Sequence, residues 1–183
     1  MKQIQNLKNV LSILCLAGTL AATAAVAYGP GPREFLTEEE IDTIRIKQEI
    51  VPRVEYYLQA ALLRLRSAHS RLLGEETVPG DPLEYFTPED MLDGYYRILN
   101  SVMVNLEDSF QRGRSDRESI RKALKEVKKR TEESRRILDN LKTLTEERND
   151  GEMTRLILRA IDITEGAHEG ATHALDEKTY ESD

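Results

Sequence analysis

Residues 120–145 read IRKALKEVKKRTEESRRILDNLKTLT. Ile120, Leu124, Val127, Thr131, Ser134, Leu138, Leu141 and Thr145 follow one another in alternating steps of four and three. That repeat keeps one narrow stripe of a helix facing its neighbours at a crossing angle near +20°. Most residues off the stripe are charged, so the segment predicts a long helix that buries one seam and solvates the rest. Such a helix gains its stability from packing rather than from propensity, so it requires partner helices, and the remainder of the chain supplies their pattern.

Three stretches besides this one carry apolar residues at helical spacing. The first predicted helix spans about residues 38–73, with Ile41, Ile44, Val51, Leu58, Leu62, Leu65 and Leu72 on one stripe. The second spans about 88–112 through Leu92, Tyr95, Leu99, Val102, Leu106 and Phe110, and the third, containing the seam, spans about 116–148. The fourth covers about 152–178, with Met153, Ile157, Ala160, Thr164, Ala167 and Ala171 inward. Capping boxes are expected where Thr37 precedes Glu40, Thr87 precedes Asp90 and Ser115 precedes Glu118, because each hydroxyl can accept from an orphan N–H while the acid reaches back. Pro88 suits the first helical position, and Asn149-Asp150-Gly151 ends the third helix and caps the fourth. Pro52 removes a hydrogen bond inside the first helix, so a kink or break is expected there. The short connections at 113–115 and 149–151 predict antiparallel neighbours. The fold class is all-α, an up-down-up-down four-helix bundle after an N-terminal signal peptide. A three-helix domain with a loose arm is the alternative.

Lys2 and Lys8, the apolar run 10–20 and Ala25-Val26-Ala27 have the layout of a secretory signal. Cleavage after Ala27 is expected, giving a signal peptide at 1–27, an extended segment at 28–36, one helical domain at 37–178 and a tail at 179–183. An uncleaved anchor is the rival reading, since the apolar run approaches the roughly 18 residues of a span. Export to the periplasm or cell exterior follows, without stable membrane insertion once the signal is removed. Cys15 is the one cysteine among 183 residues, so the exported form has no thiol for disulfides, thiolate metal sites or thiol catalysis. Removing Lys2 and Lys8 leaves 24 basic against 33 acidic residues, about −9, which disfavours nucleic acid as a partner.

TEGAHEGATH, residues 164–173, concentrates two of the chain's 3 histidines. On a helix His168 and His173 point about 140° apart, so they do not share a metal ion. Glu165 and His168 form an i, i+3 pair of the kind carboxylate-bridged di-iron bundles use on two helices, and no second Glu-x-x-His exists. Glu165 and His168 are therefore the candidate metal ligands, needing a third side chain from elsewhere; a satisfied, partly buried histidine is the competing reading. Asp162, Glu165, Glu169 and Asp176 make an acidic outer stripe, solvated or facing the basic run 121–130. Gly166 and Gly170 each cost about 1 kcal/mol against alanine in a helix. A close approach by the first or third predicted helix, or by a second copy, would offset that.

Thr131, Ser134, Thr164 and His168, with Asn105, Tyr56 and Tyr57, fall at similar heights and predict a polar layer. Such a layer either fixes register or lines a small cavity. The loop 74–86, GEETVPGDPLEYF, is longer than a bundle connection needs. Its Leu83, Tyr85 and Phe86 either close the bundle's end or form a recognition surface. No nucleophile elbow, zinc-helix histidine pair or phosphate-binding glycine loop occurs. Leu36-Thr37-Glu38-Glu39-Glu40 resembles the L-T-x-x-Q motif of periplasmic helical chaperones over five residues, with Glu40 in place of glutamine. That resemblance implies an envelope-located helical protein, although a capping box produces the same letters. The expected function is a non-catalytic protein-interaction or structural module of the bacterial cell envelope, acting through Leu83, Tyr85, Phe86, Gly166 and Gly170 on an unknown partner or on itself. No cofactor is expected. The alternative is a metal- or small-ligand-binding bundle using Glu165 and His168.

Overall fold

The computed structural model describes residues 35–176. The expected signal peptide and cleavage site, residues 28–34 and everything after Asp176 lie outside the described residues. Among the described residues every regular element is helical: α1 (Glu38–Ile46), α2 (Ile50–Leu72), α3 (Pro88–Gln111), α4 (Arg117–Glu147) and α5 (Gly151–Asp176). No described helix is long and apolar enough to cross a membrane.

The caps explain where helices begin. Thr37 and Thr87 each accept from the backbone N–H three residues on, while Glu40 and Asp90 accept from the threonine N–H in return. The expected box at Ser115 is replaced by Asp116, whose carboxylate accepts from the Ser119 N–H at 2.8 Å and its hydroxyl at 2.7 Å. A carboxylate is the stronger acceptor and takes both donors; these bonds from Ser119 hold the Asp116 carboxyl below its usual range. The first predicted helix is broken rather than kinked. Residues 47–49 interrupt it, and Pro52 falls in the opening turn of α2, where backbone N–H groups have no intrahelical partner anyway. Arg53 Nε donates to the Lys47 carbonyl at 2.7 Å across the break.

All eight seam residues of α4 are buried, as are the six inward residues expected on α5. Helix α2 packs on α3 and on α4, α5 packs on α4 and on α3, whereas α3 and α4 touch little. Side-chain partners give the directions. Thr131 meets His168 and Thr145 meets Thr154, so α4 and α5 are antiparallel. Tyr95 meets Thr164 and Met103 meets Gly170, so α3 and α5 are parallel.

The expectation that α3 and α4 are neighbours is therefore corrected. Residues 112–116 carry the chain across the end of the assembly, a distance of up to about 16 Å that five extended residues can span. A short link limits distance and leaves adjacency open. Asn149, at φ 54°, ends α4, and Asp150 caps α5 by accepting from Met153 N–H at 3.1 Å. One continuous core joins α2 through α5, and Ala68, Leu83 and Met91 form a smaller cluster under the long loop.

Candidate functional site

The pair expected to bind metal is not assembled for it. Glu165 is exposed, with Arg135 at 3.6 Å on the neighbouring helix. His168 is half-buried, and its Nδ1 lies 3.0 Å from Thr131 Oγ1. Among the described residues no group of three or more His, Cys, Asp or Glu converges in a metal-binding arrangement. His173 is exposed on the outer side of α5, away from His168.

The polar layer exists with a different membership. Thr131 Oγ1 donates back to carbonyls of its own helix, Val127 and Lys128, both at 2.9 Å. Thr164 donates to Ala160 O at 2.6 Å, which uses its single proton. The Tyr95 hydroxyl, 2.6 Å from Thr164 Oγ1, is consequently the donor in that pair. Burial pushes the Tyr95 phenol up to about 12, with hydrogen bonds to Ser134 and Thr164 acting in the opposite direction. Three helices are joined here by buried, satisfied groups, the arrangement that specifies register. Asn105, by contrast, donates to Ser101 O at 2.7 Å on its own helix, and Tyr56 lies under Lys47. Helical height placed them level with the layer, but their side chains leave α3 and α2 in other directions.

A second buried polar group had no signal in the spacing of α2. Arg64 is fully buried, donating to Glu40 Oε1 at 2.8 Å and Oε2 at 2.7 Å, and to Ala60 O at 3.0 Å. Glu40 thus serves twice, accepting the Thr37 N–H in the capping box and neutralising a buried guanidinium. Arg64 Nε has no hydrogen-bond partner among the described residues. Gly94 on α3 makes the room: a Cβ there would lie 3.1 Å from Arg64 Cδ and Nε. Arg97 covers the Phe35 ring at 4.4 Å, so residues 35–46 are held against α2 and α3 by one ion pair, one cation–π contact and the apolar packing of Phe35 and Leu36. The signal that could have exposed this was Gly94, an unexplained glycine in a helix interior.

The long loop is a built structure. Gly74, at φ 85°, ends α2, with the Glu75 N–H bonding back to Ser70 O at 3.0 Å. Val78-Pro79-Gly80-Asp81 is a turn closed by Asp81 N–H to Val78 O at 3.0 Å; Gly80 takes φ 86°, the conformation a type II turn demands after proline. Asp81 Oδ1 accepts from Leu83 N–H at 2.7 Å, Glu84 accepts from Gly80 N–H at 3.0 Å, and the Arg71 guanidinium donates to Leu83 O. Leu83 is fully buried and Phe86 packs beside it, which covers Ala68 and Met91 at the α2–α3 connection. Tyr85 is 81% exposed and Val78 70% exposed. The closing role expected of the loop falls to Leu83 and Phe86, while Tyr85 stays outside that contact.

The glycines depart from expectation. Among the described residues, Gly166 has nothing within 4 Å of an added Cβ, and Gly170 has only Met103 Cε of α3 at 3.7 Å. Neither α2 nor α4, the predicted first and third helices, comes within 4 Å of such a Cβ; both glycines are exposed, and Gly170 lies on the side of α5 that meets α3. Of the acidic stripe, Glu165 faces α4 while Asp162, Glu169 and Asp176 are solvated.

Compared with known protein families, curated proteins and solved structures, the chain matches none. The short resemblance to the periplasmic chaperones therefore has no wider support, and the Thr37–Glu40 capping box accounts for its letters.

Proposed function

We propose that this protein is an exported, non-catalytic interaction module of the bacterial cell envelope, built as an up-down-up-down four-helix bundle. The packing partners and alternating directions of α2 to α5 support the bundle, with hairpin α2–α3 laid on hairpin α4–α5. The layout of residues 1–27 supports export. N-terminal sequencing of the protein from the native envelope should begin at Tyr28; Met1 instead would replace a processed module with an anchored one.

The observation that carries the interaction reading is the loop 74–86. Its backbone is held by turns and side-chain caps, and its underside is anchored through Leu83, yet it holds Tyr85 and Val78 out in solvent. A pre-ordered loop loses little entropy on association, and an exposed aromatic on a rigid support is the usual anchor of an interface. In co-purification from the native envelope, Tyr85→Ala with Val78→Ser is expected to lower recovery of the partner at least tenfold while leaving the melting temperature unchanged. Undiminished recovery would remove the loop from the interface.

A further inference from the structure

An opening of about 220 Å³ lies between α3 and α5 near the end of both helices, with Met103, Phe110, Ile120 and Leu124 among its walls. It is larger than the roughly 150 Å³ cavity that admits benzene, so it accepts one large apolar side chain. It exists because α5 presents Gly170 and Ala174 where larger residues would close the gap. Phe110 is 47% exposed at its mouth.

Two further observations identify an occupant. First, Gly166 and Gly170 are exposed one turn apart and no described residue needs their small size, in contrast to Gly94, whose missing Cβ makes room for Arg64. Glycine weakens a helix relative to alanine, and a second helix crossing α5 at these positions would use the space. Second, the charged group in the wall is Glu107, and Asp162, Glu169 and Asp176 are exposed on α5. None of these four carboxylates has an ion pair among the described residues, and the whole chain carries −7. An apolar floor, close backbone access, Glu107 in the wall and Glu169 next to Gly170 in sequence together complement one class of ligand.

We propose that this groove binds a cationic amphipathic helix of a partner protein. One apolar side chain of the ligand enters between Met103 and Phe110, its backbone crosses Gly166 and Gly170, and its lysine or arginine residues pair with Glu107 and Glu169. The proposal rests on the interaction-module reading and names a second surface, remote in sequence from the 74–86 loop.

The test uses the purified protein with 13C-methyl methionine and two synthetic 18-residue helices, one of leucine and lysine, the other of leucine and glutamate. The lysine peptide is expected to shift the Met103 methyl signal while that of buried Met153 stays in place. Its affinity should fall with added salt, and the glutamate peptide should bind at least tenfold more weakly. Gly170→Leu fills the groove and should abolish the Met103 shift. Glu107→Gln with Glu169→Gln, which touches only exposed side chains, should weaken binding about tenfold. An unmoved Met103 methyl, equal binding of both peptides, or binding that survives Gly170→Leu would each overturn the proposal. Tyr85→Ala with Val78→Ser should leave peptide binding intact, so failure of the loop and failure of the groove are read separately.

Discussion

Replacing Glu40 with alanine is expected to lower the unfolding free energy by about 3–5 kcal/mol, the range for removing one partner of a buried ion pair. Arg64 would keep its hydrogen bond to Ala60 O but lose both carboxylate bonds, leaving a guanidinium without a counter-charge in a site closed to solvent. The same substitution removes the acid of the α1 capping box. Chemical denaturation of the single and double variants decides the point. Glu40→Leu with Arg64→Met should recover most of the loss, since replacing both charges by apolar groups of similar volume is often neutral or stabilising. A double variant as unstable as Glu40→Ala would show that the pair contributes net stability and does not merely position α1.

Raising the pH from 9 to 12 is expected to remove about 2 kcal/mol of stability through Tyr95 alone. Burial raises the folded-state phenol from 10.0 to about 12, so the folded chain holds its proton where the unfolded chain has released it. The contribution is complete below pH 10 and disappears as the pH climbs through about 12. Tyr95→Phe should abolish this component, costing about 1 kcal/mol at neutral pH for the lost hydrogen bond to Thr164. The difference between wild-type and Tyr95→Phe unfolding free energies, measured across this range, isolates it from the other tyrosines. A pH-independent difference would mean that Tyr95 is far less sealed from water than its position implies.

Both effects arise at groups whose roles were illegible along the chain. Tyr95 fits an apolar stripe like any other core residue; its hydroxyl gains significance only because α5 brings Thr164 to 2.6 Å. Arg64 sits among leucines in a chain with 26 basic residues, and a solvated arginine leaves the same letters. The polar layer was half legible: Thr131, Ser134, Thr164 and His168 lie on helix faces that periodicity identifies. Asn105, Tyr56 and Tyr57 were matched to them by height alone. Height along a helix follows from counting residues, but direction around the assembly depends on which helices are neighbours. The same limit applies to the candidate ligands, since Glu165 and His168 share one helix and a third ligand would have to come from another.

What the sequence by itself determined is local. Helix starts follow from Thr37 and Thr87, the stop before α5 from Asn149, and the buried faces of α4 and α5 from residue spacing, because caps and periodicity act within a few residues of chain. Tertiary structure decided which helices touch. Five residues between α3 and α4 were enough to cross to the opposite corner, so connection length could not choose among pairings. That choice placed α5 beside α3, opened the groove at Gly170, joined Tyr95 to Thr164, and left Gly94 facing Arg64. The physical reason is range: hydrogen-bonded caps are set by neighbours in sequence, whereas burial of a charge or exposure of a glycine is set by whichever helix arrives across the core.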